Sequence, residues 1–323
     1  MPEEKKNTAI DLKNLKAGGF IKERGKDLFT VRLRVPGGRL PVGRLKKIAE
    51  VAEKYGQGMV HLSVRQSVEL INIKFRDFDA VVAELGEGTQ KVASCGARVR
   101  VPTACGGCEY NPNGLVDTQK SALEVDEKLF GTPTGHHKFK VGFAGCPFDC
   151  PKSATNDVGF QGAVWPVLFA DHCIGCGLCA KSCTEDAIAT GDNGKPRFIP
   201  ANCLYCGDCL KVCPTEAWRA GKKGYTVRIG GKWGRRPLVG TLFAEFLPED
   251  QVVDFIAAVL GWYQEKAEGQ GRIRLGDVIR AQGPEALLTR LRERFPAFAV
   301  NATIAPQAIA TQVGKEKQAH DNR

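Results

Sequence analysis

Residues 133–150 read PTGHHKFKVGFAGCPFDC. Lys138 and Lys140 alternate with Phe139 and Val141, the period of a β-strand, so the two lysines are predicted to share one face. Cys146 and Cys150 follow at a C-x3-C spacing. A strand that presents two cations and then two thiols describes one wall of an anion-binding metal site.

The segments on either side repeat this signature. Upstream, CGARVRVPTACGGCEYNPNGLVD (95–117) predicts an alternating strand that carries Arg98 and Arg100 into Cys105 and Cys108. Its Gly, Asn and Pro content then predicts a loop, followed by a helix over about 115–130. Further upstream, LFTVRLRV (28–35) predicts a strand with Arg32 and Arg34 on one face. A helix is expected over 41–55, burying Leu45, Ile48, Ala49 and Ala52. MVHLSV and VELINI predict two strands linked through Arg65 and Gln66, and a second helix follows near 76–86. This β-α-β-β-α order predicts a compact α+β unit with helices on one face of an antiparallel sheet. Residues 1–27 read as a polar arm.

Downstream, SATNDVGFQGAVWP predicts another strand. Residues 166–220 then form a module of their own. CIGCGLCAKSC places Cys173, Cys176, Cys179 and Cys183, and CLYCGDCLKVCP places Cys203, Cys206, Cys209 and Cys213. Each is a C-x2-C-x2-C-x3-C run, the spacing of bacterial two-cluster ferredoxins, in which the fourth cysteine of each run serves the other cluster. One [4Fe–4S] cluster is therefore expected on Cys173, Cys176, Cys179 and Cys213, and a second on Cys203, Cys206, Cys209 and Cys183. After the module come a strand at YTVRIGG, a basic turn at KWGRRPLVG and a helix over 248–268. Helical stretches then run to about 294.

Thirteen cysteines in 323 residues need a common explanation. No secretory leader or apolar run of membrane-spanning length is visible, so a cytoplasmic protein without membrane insertion is expected, and disulfides are not. Twelve of the thirteen fall into short-spaced groups; Cys95 stands alone and reads as a small buried hydrophobe. The formal charge is +10, but the cations recur on strand-like segments beside the cysteines instead of clustering with aromatics. That pattern argues against nucleic acid and for a polyanionic cofactor with an oxyanion substrate. Cys105, Cys108, Cys146 and Cys150 could equally form a closed zinc site. A zinc site of four thiolates has no need of Arg34, Arg100, Lys138 and Lys140 around it, whereas a site that binds and protonates an oxyanion does.

Taken together, VRLRVPGGRL, LSVRQSVEL, RVRVPTAC, HKFKVGFAGCPFDC and NDVGF resemble the sirohaem- and [4Fe–4S]-containing sulfite and nitrite reductases, over about residues 20–295. The inserted ferredoxin module and single-repeat length resemble the anaerobic, dissimilatory-type sulfite reductases of that family. The resemblance implies an α+β fold. Residues 1–90 would be a ferredoxin-like half-domain, and 91–165 with 221–300 a sirohaem/[4Fe–4S] domain interrupted by the ferredoxin domain at 166–220. Residues 301–323 would be a tail. It implies substrate cations at Arg34, Arg100, Lys138 and Lys140. It also implies sirohaem contacts at Arg65, Gln66 and Asn156, and a cysteine bridging the third cluster to the sirohaem iron at Cys150.

The implied activity is six-electron reduction of sulfite to sulfide, with nitrite as the alternative substrate. A non-catalytic electron-transfer or tetrapyrrole-binding subunit is the alternative role. No G-x-G-x-x-G opens a helix after a strand, so electrons are expected from a donor protein or from a flavin or ferredoxin subunit, in an oligomer or hetero-complex. The sequence departs from the family pattern at two places. The usual C-x5-C places Asn111 where the second thiol belongs, with Cys108 nearby instead, and Phe148 stands where the family has Asn.

Overall fold

The computed structural model describes residues 11–86, 90–191 and 193–298. The chain opens with helix α1 (Leu12–Ala17) and strands β1 (Phe20–Lys22) and β2 (Leu28–Arg32). The expected polar arm is thus partly folded. Asp11 caps α1 by accepting from the backbone N–H groups of Lys13 and Asn14, and β1 pairs with β2 at Phe20–Val31. Helix α2 (Val42–Tyr55), strands β3 (Val60–Leu62) and β4 (Val68–Lys74) and helix α3 (Phe78–Leu85) follow. The sheet runs β1-β2-β4-β3, antiparallel throughout. Phe29, Val31, Leu33, Leu70 and Ile73 form its core with Val81 and Leu85 of α3. Helix α2 buries Ile48, Val51 and Ala52, whereas Leu45 and Ala49 are exposed. The stripe that meets the sheet is narrower than the expected face and rotated toward Val51.

The larger unit is built on a five-stranded mixed sheet. Its strands are β5 (Thr103–Ala104), β6 (Val141–Ala144), β7 (Val158–Leu168), β10 (Trp218–Ile229) and β11 (Thr241–Leu247), in the order β11-β10-β7-β6-β5. Between them lie α4 (Gly107–Tyr110) and α5 (Thr118–Leu129), and after them α8 (Val252–Lys266), α9 (Leu275–Gln282) and α10 (Glu285–Arg294). Strand β6 is parallel to β5 and to β7, while β10 is antiparallel to β7 and β11. The strand expected around Arg98 and Arg100 shrinks to single bridges, Val99 to Phe139 and Arg98 to Pro133, and regular pairing starts only after Pro102, which has no N–H to give. Strand β11 was not expected; it follows the basic turn directly.

Phe139, Val141 and Phe143 are fully buried. They belong to one core with Phe160, Tyr225, Phe243, Phe255, Val259 and Trp262, which closes the sheet against α5, α8, α9 and α10. Each such burial is worth about 1.5–3 kcal/mol. The alternation therefore leaves Lys138 and Lys140 on the opposite side of the segment, half-buried.

The segment between β7 and β10 holds α6 (Leu178–Ser182), a hairpin of β8 (Ile188–Thr190) and β9 (Pro196–Phe198), and α7 (Asp208–Lys211). It is rooted in the large sheet, because β7 and β10 remain paired as far as Leu168–Trp218. Among the described residues no helix is long and apolar enough to cross a membrane. The expected tail at 301–323 lies outside the described residues.

Candidate functional site

Strand β6 has two chemically different ends. At its N-terminal end the Lys140 N–H donates to Asp157 Oδ2 at 2.8 Å, and the Arg100 N–H donates to the Phe139 carbonyl at 2.9 Å. Asp157 is fully buried and held by Arg274, with Nη2 to Oδ2 at 2.7 Å and Nε to Oδ1 at 3.1 Å. Arg65 Nη1 donates to Asn156 Oδ1 at 3.1 Å and its Nη2 to the Val101 carbonyl at 2.7 Å. Gln66 and Ala104 exchange two hydrogen bonds, at 2.6 and 2.9 Å. Gln66 has a positive φ of 61°, and a Cβ on Gly38 would lie 2.8 Å from the Gln66 Cβ, so only glycine lets this turn close. Gly142 likewise leaves room for Asn156, whose Nδ2 would lie 2.5 Å from an added Cβ.

The charges here do not balance. Burial lowers Lys140 to about 7, helped by Arg65, Lys138 and Arg274 and opposed by Asp157. Burial, Arg274, Arg100 and Arg65 also lower Lys138. Arg65 falls to about 10 through burial and the repulsion of Arg100, Arg32 and Arg274. His137 is lowered to about 4 by burial and by Arg274 and Lys138, so it is neutral at pH 7, and its Nδ1 accepts the Lys138 N–H at 2.9 Å. Several partly buried cations gathered around one carboxylate favour an anion among them.

Arg34 does not join this group. Its Nε and Nη2 donate to the Asp126 carboxylate and carbonyl at 2.8 and 2.7 Å, and its guanidinium stacks 4.0 Å from the Phe130 ring centroid. Strand β2 ends at Arg32, and the chain then turns at Pro36–Gly38, which sends Arg34 against α5. Arg32 is the residue of this pair that faces the cluster: it acts electrostatically on Arg65 and Arg100. Sequence reasoning, through the resemblance, singled out Arg34 and not Arg32, which the structure turns toward Arg65 and Arg100. It also missed Arg274 and Asp157, which lie 117 residues apart and meet only in the fold.

The C-terminal end of β6 carries thiols. Cys105 Sγ accepts the N–H groups of Gly145 and Gly107 at 3.0 and 3.4 Å. Cys146 is buried and lies within electrostatic reach of Cys105 and Cys150. Cys108 sits on α4 and is exposed, with Asn111 at the end of that helix; Phe148 is also exposed. Lys140 precedes β6 (Val141–Ala144) and Cys146 follows it, so the cations and these thiols lie at its two ends.

In the 166–220 segment, Cys209 faces Cys206, Cys203, Cys179 and Cys183, and Cys203 faces Cys183. Backbone N–H groups of Ala187 and Tyr205 donate to Cys183 and Cys203 sulfurs, both at 3.3 Å. Burial pushes Cys206 up to about 11 and Cys209 up to about 12. A cavity of about 1100 Å³ opens between this segment and the large sheet; Cys203, Tyr205 and Pro147 line it, with Arg228, Arg235 and Arg236. It lies on the thiol side, and none of the cations around Lys140 reaches it.

Residues 95–297 match the nitrite and sulphite reductase 4Fe-4S domain, and residues 21–88 match the nitrite/sulfite reductase ferredoxin-like half domain. The chain therefore belongs to the nitrite and sulphite reductase family, oxidoreductases built on iron–sulfur and sirohaem-binding domains. Its fold is α+β, a ferredoxin-like half domain followed by the larger mixed domain.

Among its relatives, the coenzyme F420-dependent sulfite reductase of Methanocaldococcus jannaschii is 35% identical over 85% of this chain, which spans only 44% of that protein. An anaerobic sulfite reductase subunit of Salmonella typhimurium is 31% identical over 81% of this chain and 83% of its own length. The fold is shared with the crystal structure of dissimilatory sulfite reductase I, at a TM-score of 0.67 and 21% identity over 81% of this chain and 68% of that one. It is also shared with the Mycobacterium tuberculosis NirA protein, at a TM-score of 0.59 and 17% identity over 88% of this chain and 45% of that one.

The residues fit the groups this family implies. All thirteen cysteines are free. Crowded buried thiols that accept backbone N–H groups are suited to a metal that replaces their protons. Among the described residues no three His, Cys, Asp or Glu converge on a single metal ion. A cubane cluster has a different requirement, since it spreads four thiolates over its corners. The unbalanced cations at the other end of β6 suit a polycarboxylate tetrapyrrole and an oxyanion.

Proposed function

We propose that the chain reduces sulfite to sulfide in a six-electron reaction, with nitrite as the alternative substrate. The observation that carries this reading is the convergence of Arg32, Arg65, Arg100, Lys138, Lys140 and Arg274 on one end of β6, with Asp157 as the buried carboxylate among them. Sirohaem would be held there by Arg65, Gln66 and Asn156. Cys105, Cys146 and Cys150, with Cys108 as the fourth candidate, would hold a third cluster. The remaining two would use Cys173, Cys176, Cys179 and Cys213, and Cys203, Cys206, Cys209 and Cys183. When bound, the clusters carry electrons singly and the sirohaem supplies the iron at which the substrate is reduced.

The protein's own contribution is charge and protons. Arg32, Arg100, Lys138 and Lys140 would hold the substrate's oxygens, whose negative charge offsets the repulsion among the four. Lys140, lowered to about 7, can give up a proton at neutral pH and regain it from solvent as each oxygen leaves as water. Asp157 fixes the Lys140 backbone and ties it to Arg274.

Cys203 and Pro147, which follows Cys146, line one cavity. This supports electron entry from the 166–220 segment toward the thiol end of β6, with a donor protein supplying the electrons. Because the electrons must come from a donor protein or from a flavin or ferredoxin subunit, we place the chain in an oligomer or hetero-complex. Residues 1–90 would form the first half-domain, and 91–165 with 221–300 the domain that the 166–220 segment interrupts.

The test is sulfite-dependent oxidation of a reduced dye by the anaerobically purified protein. Lys140→Ala should retain the tetrapyrrole and lose turnover; undiminished turnover contradicts the reading. A second role is favoured by one observation, the exposed position of Cys108 on α4. If it leaves the third thiol group incomplete, the chain is an electron-transfer or tetrapyrrole-binding subunit, and no dye is consumed on adding sulfite.

A further inference from the structure

Cys95 is the one cysteine outside the twelve, and it is not an inert core residue. It is 1% exposed, and its Sγ accepts Arg32 Nη1 and Arg100 Nη1, each at 3.1 Å. Arg32 arrives from the N-terminal sheet with its Nε on Glu69 at 2.6 Å, and Glu69 meets His61 at 2.7 Å. Arg100 arrives from the segment leading to β5 and also donates weakly to the Ser94 carbonyl at 3.4 Å. The Cys95 N–H itself donates to the Ala17 carbonyl at 3.2 Å, which anchors the sulfur to the end of α1. Arg100 Nε is buried without a hydrogen-bond partner among the described residues, a donor left over beside the one that holds the sulfur.

Two guanidiniums placed side by side repel each other, and Arg32 is one of the charges that lower Arg100 after burial itself. An acceptor between them offsets that repulsion and sets their spacing. We propose that Cys95 is a positioning residue: its sulfur clamps Arg32 and Arg100 together and holds their free N–H groups toward the oxyanion. A serine oxygen could accept the same two donors, at shorter reach. Valine fills a similar volume and accepts neither. This inference rests on the reading that Arg32 and Arg100 receive the oxyanion.

The experiment compares Cys95→Val, Cys95→Ser and Arg100→Ala in the holoprotein. Sulfite binding to the oxidised protein would be read by calorimetry, with KM and kcat read separately. Cys95→Val should weaken sulfite binding about tenfold and raise KM by a similar factor, with kcat changed less than threefold. Cys95→Ser should recover most of the affinity, and a crystal structure of Cys95→Val should show both guanidiniums displaced. Cys95→Val added to Arg100→Ala should cost little more than Arg100→Ala alone.

If Cys95→Val does not fold, Cys95→Ala is read in the same way. Sulfite affinity unchanged in the cysteine variants but lost in Arg100→Ala overturns the clamp alone. Affinity unchanged in Arg100→Ala overturns the substrate reading on which it rests.

Discussion

The two ends of β6 show what one short strand can do for chemistry and what it cannot. Its N-terminal end gathers residues from distant parts of the chain, Arg65, Arg100, Lys140, Asp157 and Arg274, into a charged pocket with too few carboxylates. Its C-terminal end sets Cys105, delivered by β5, beside the local pair Cys146 and Cys150, and backbone N–H groups of Gly107 and Gly145 donate to Cys105. The first end is specified by tertiary structure throughout; at the second only the Cys146–Cys150 pair is local, and Cys105 joins it through the pairing of β5 with β6. Loss of a residue at the first end should damage stability and anion affinity together. Loss at the second should damage cluster content and leave the cations where they are.

The largest effect is expected from Asp157→Ala. It leaves Arg274 buried and unpaired and should cost roughly 3–5 kcal/mol, read as a lower denaturant midpoint, with Asp157→Asn milder. A midpoint shift under about 1 kcal/mol would mean that the pair is not the pin of this end. Next, Lys140→Ala should lower kcat by roughly 10²–10³ with the iron content unchanged, because the thiol end does not depend on it. Loss of iron together with activity would join the two ends that the geometry separates.

Arg32 and Arg34 sharpen the comparison further. Arg34→Ala should cost roughly 1–3 kcal/mol of stability by stranding Asp126, with sulfite KM within about twofold, whereas Arg32→Ala should raise KM about tenfold. Equal KM effects would return Arg34 to the site.

The smallest signal is a proton. Lys140 is lowered to about 7, chiefly by burial and then by Arg65, Lys138 and Arg274, with Asp157 opposing. An anion raises it, so at about pH 8 a mostly neutral lysine becomes charged and sulfite binding should take up a proton. Calorimetry in buffers of different ionisation enthalpy reads that uptake, and it should fade at about pH 5, where the lysine is already charged. Equal uptake at both pH values would assign the proton to another group.

The sequence revealed the thiols more readily than the cations, for a physical reason. Cluster ligation depends on short spacings, and C-x2-C-x2-C-x3-C survives in the sequence as written. Lys138, Lys140 and Arg100 were visible because strand alternation is also local. Arg274 and Asp157 were not, since nothing in RIRLG or NDVGF marks a partner 117 residues away. The choice between Arg32 and Arg34 fell below the resolution of alternation: both share a face, and only the turn at Pro36–Gly38 separates their destinations. Cys95 shows the opposite case. Burial was inferred correctly from its isolation, but two arginines had to fold onto it before its role appeared. The helix face of α2 shifted because the apolar pattern offers more residues than the sheet can cover.

The most direct test of the central claim is an anaerobic visible spectrum of the purified protein, made in a host that supplies sirohaem, followed by acid-acetone extraction of any tetrapyrrole. The account predicts a Soret band and an extractable sirohaem beside the iron–sulfur absorption. Broad iron–sulfur absorption alone, with nothing extractable, would contradict it and leave the cations at the head of β6 without the group they are proposed to hold.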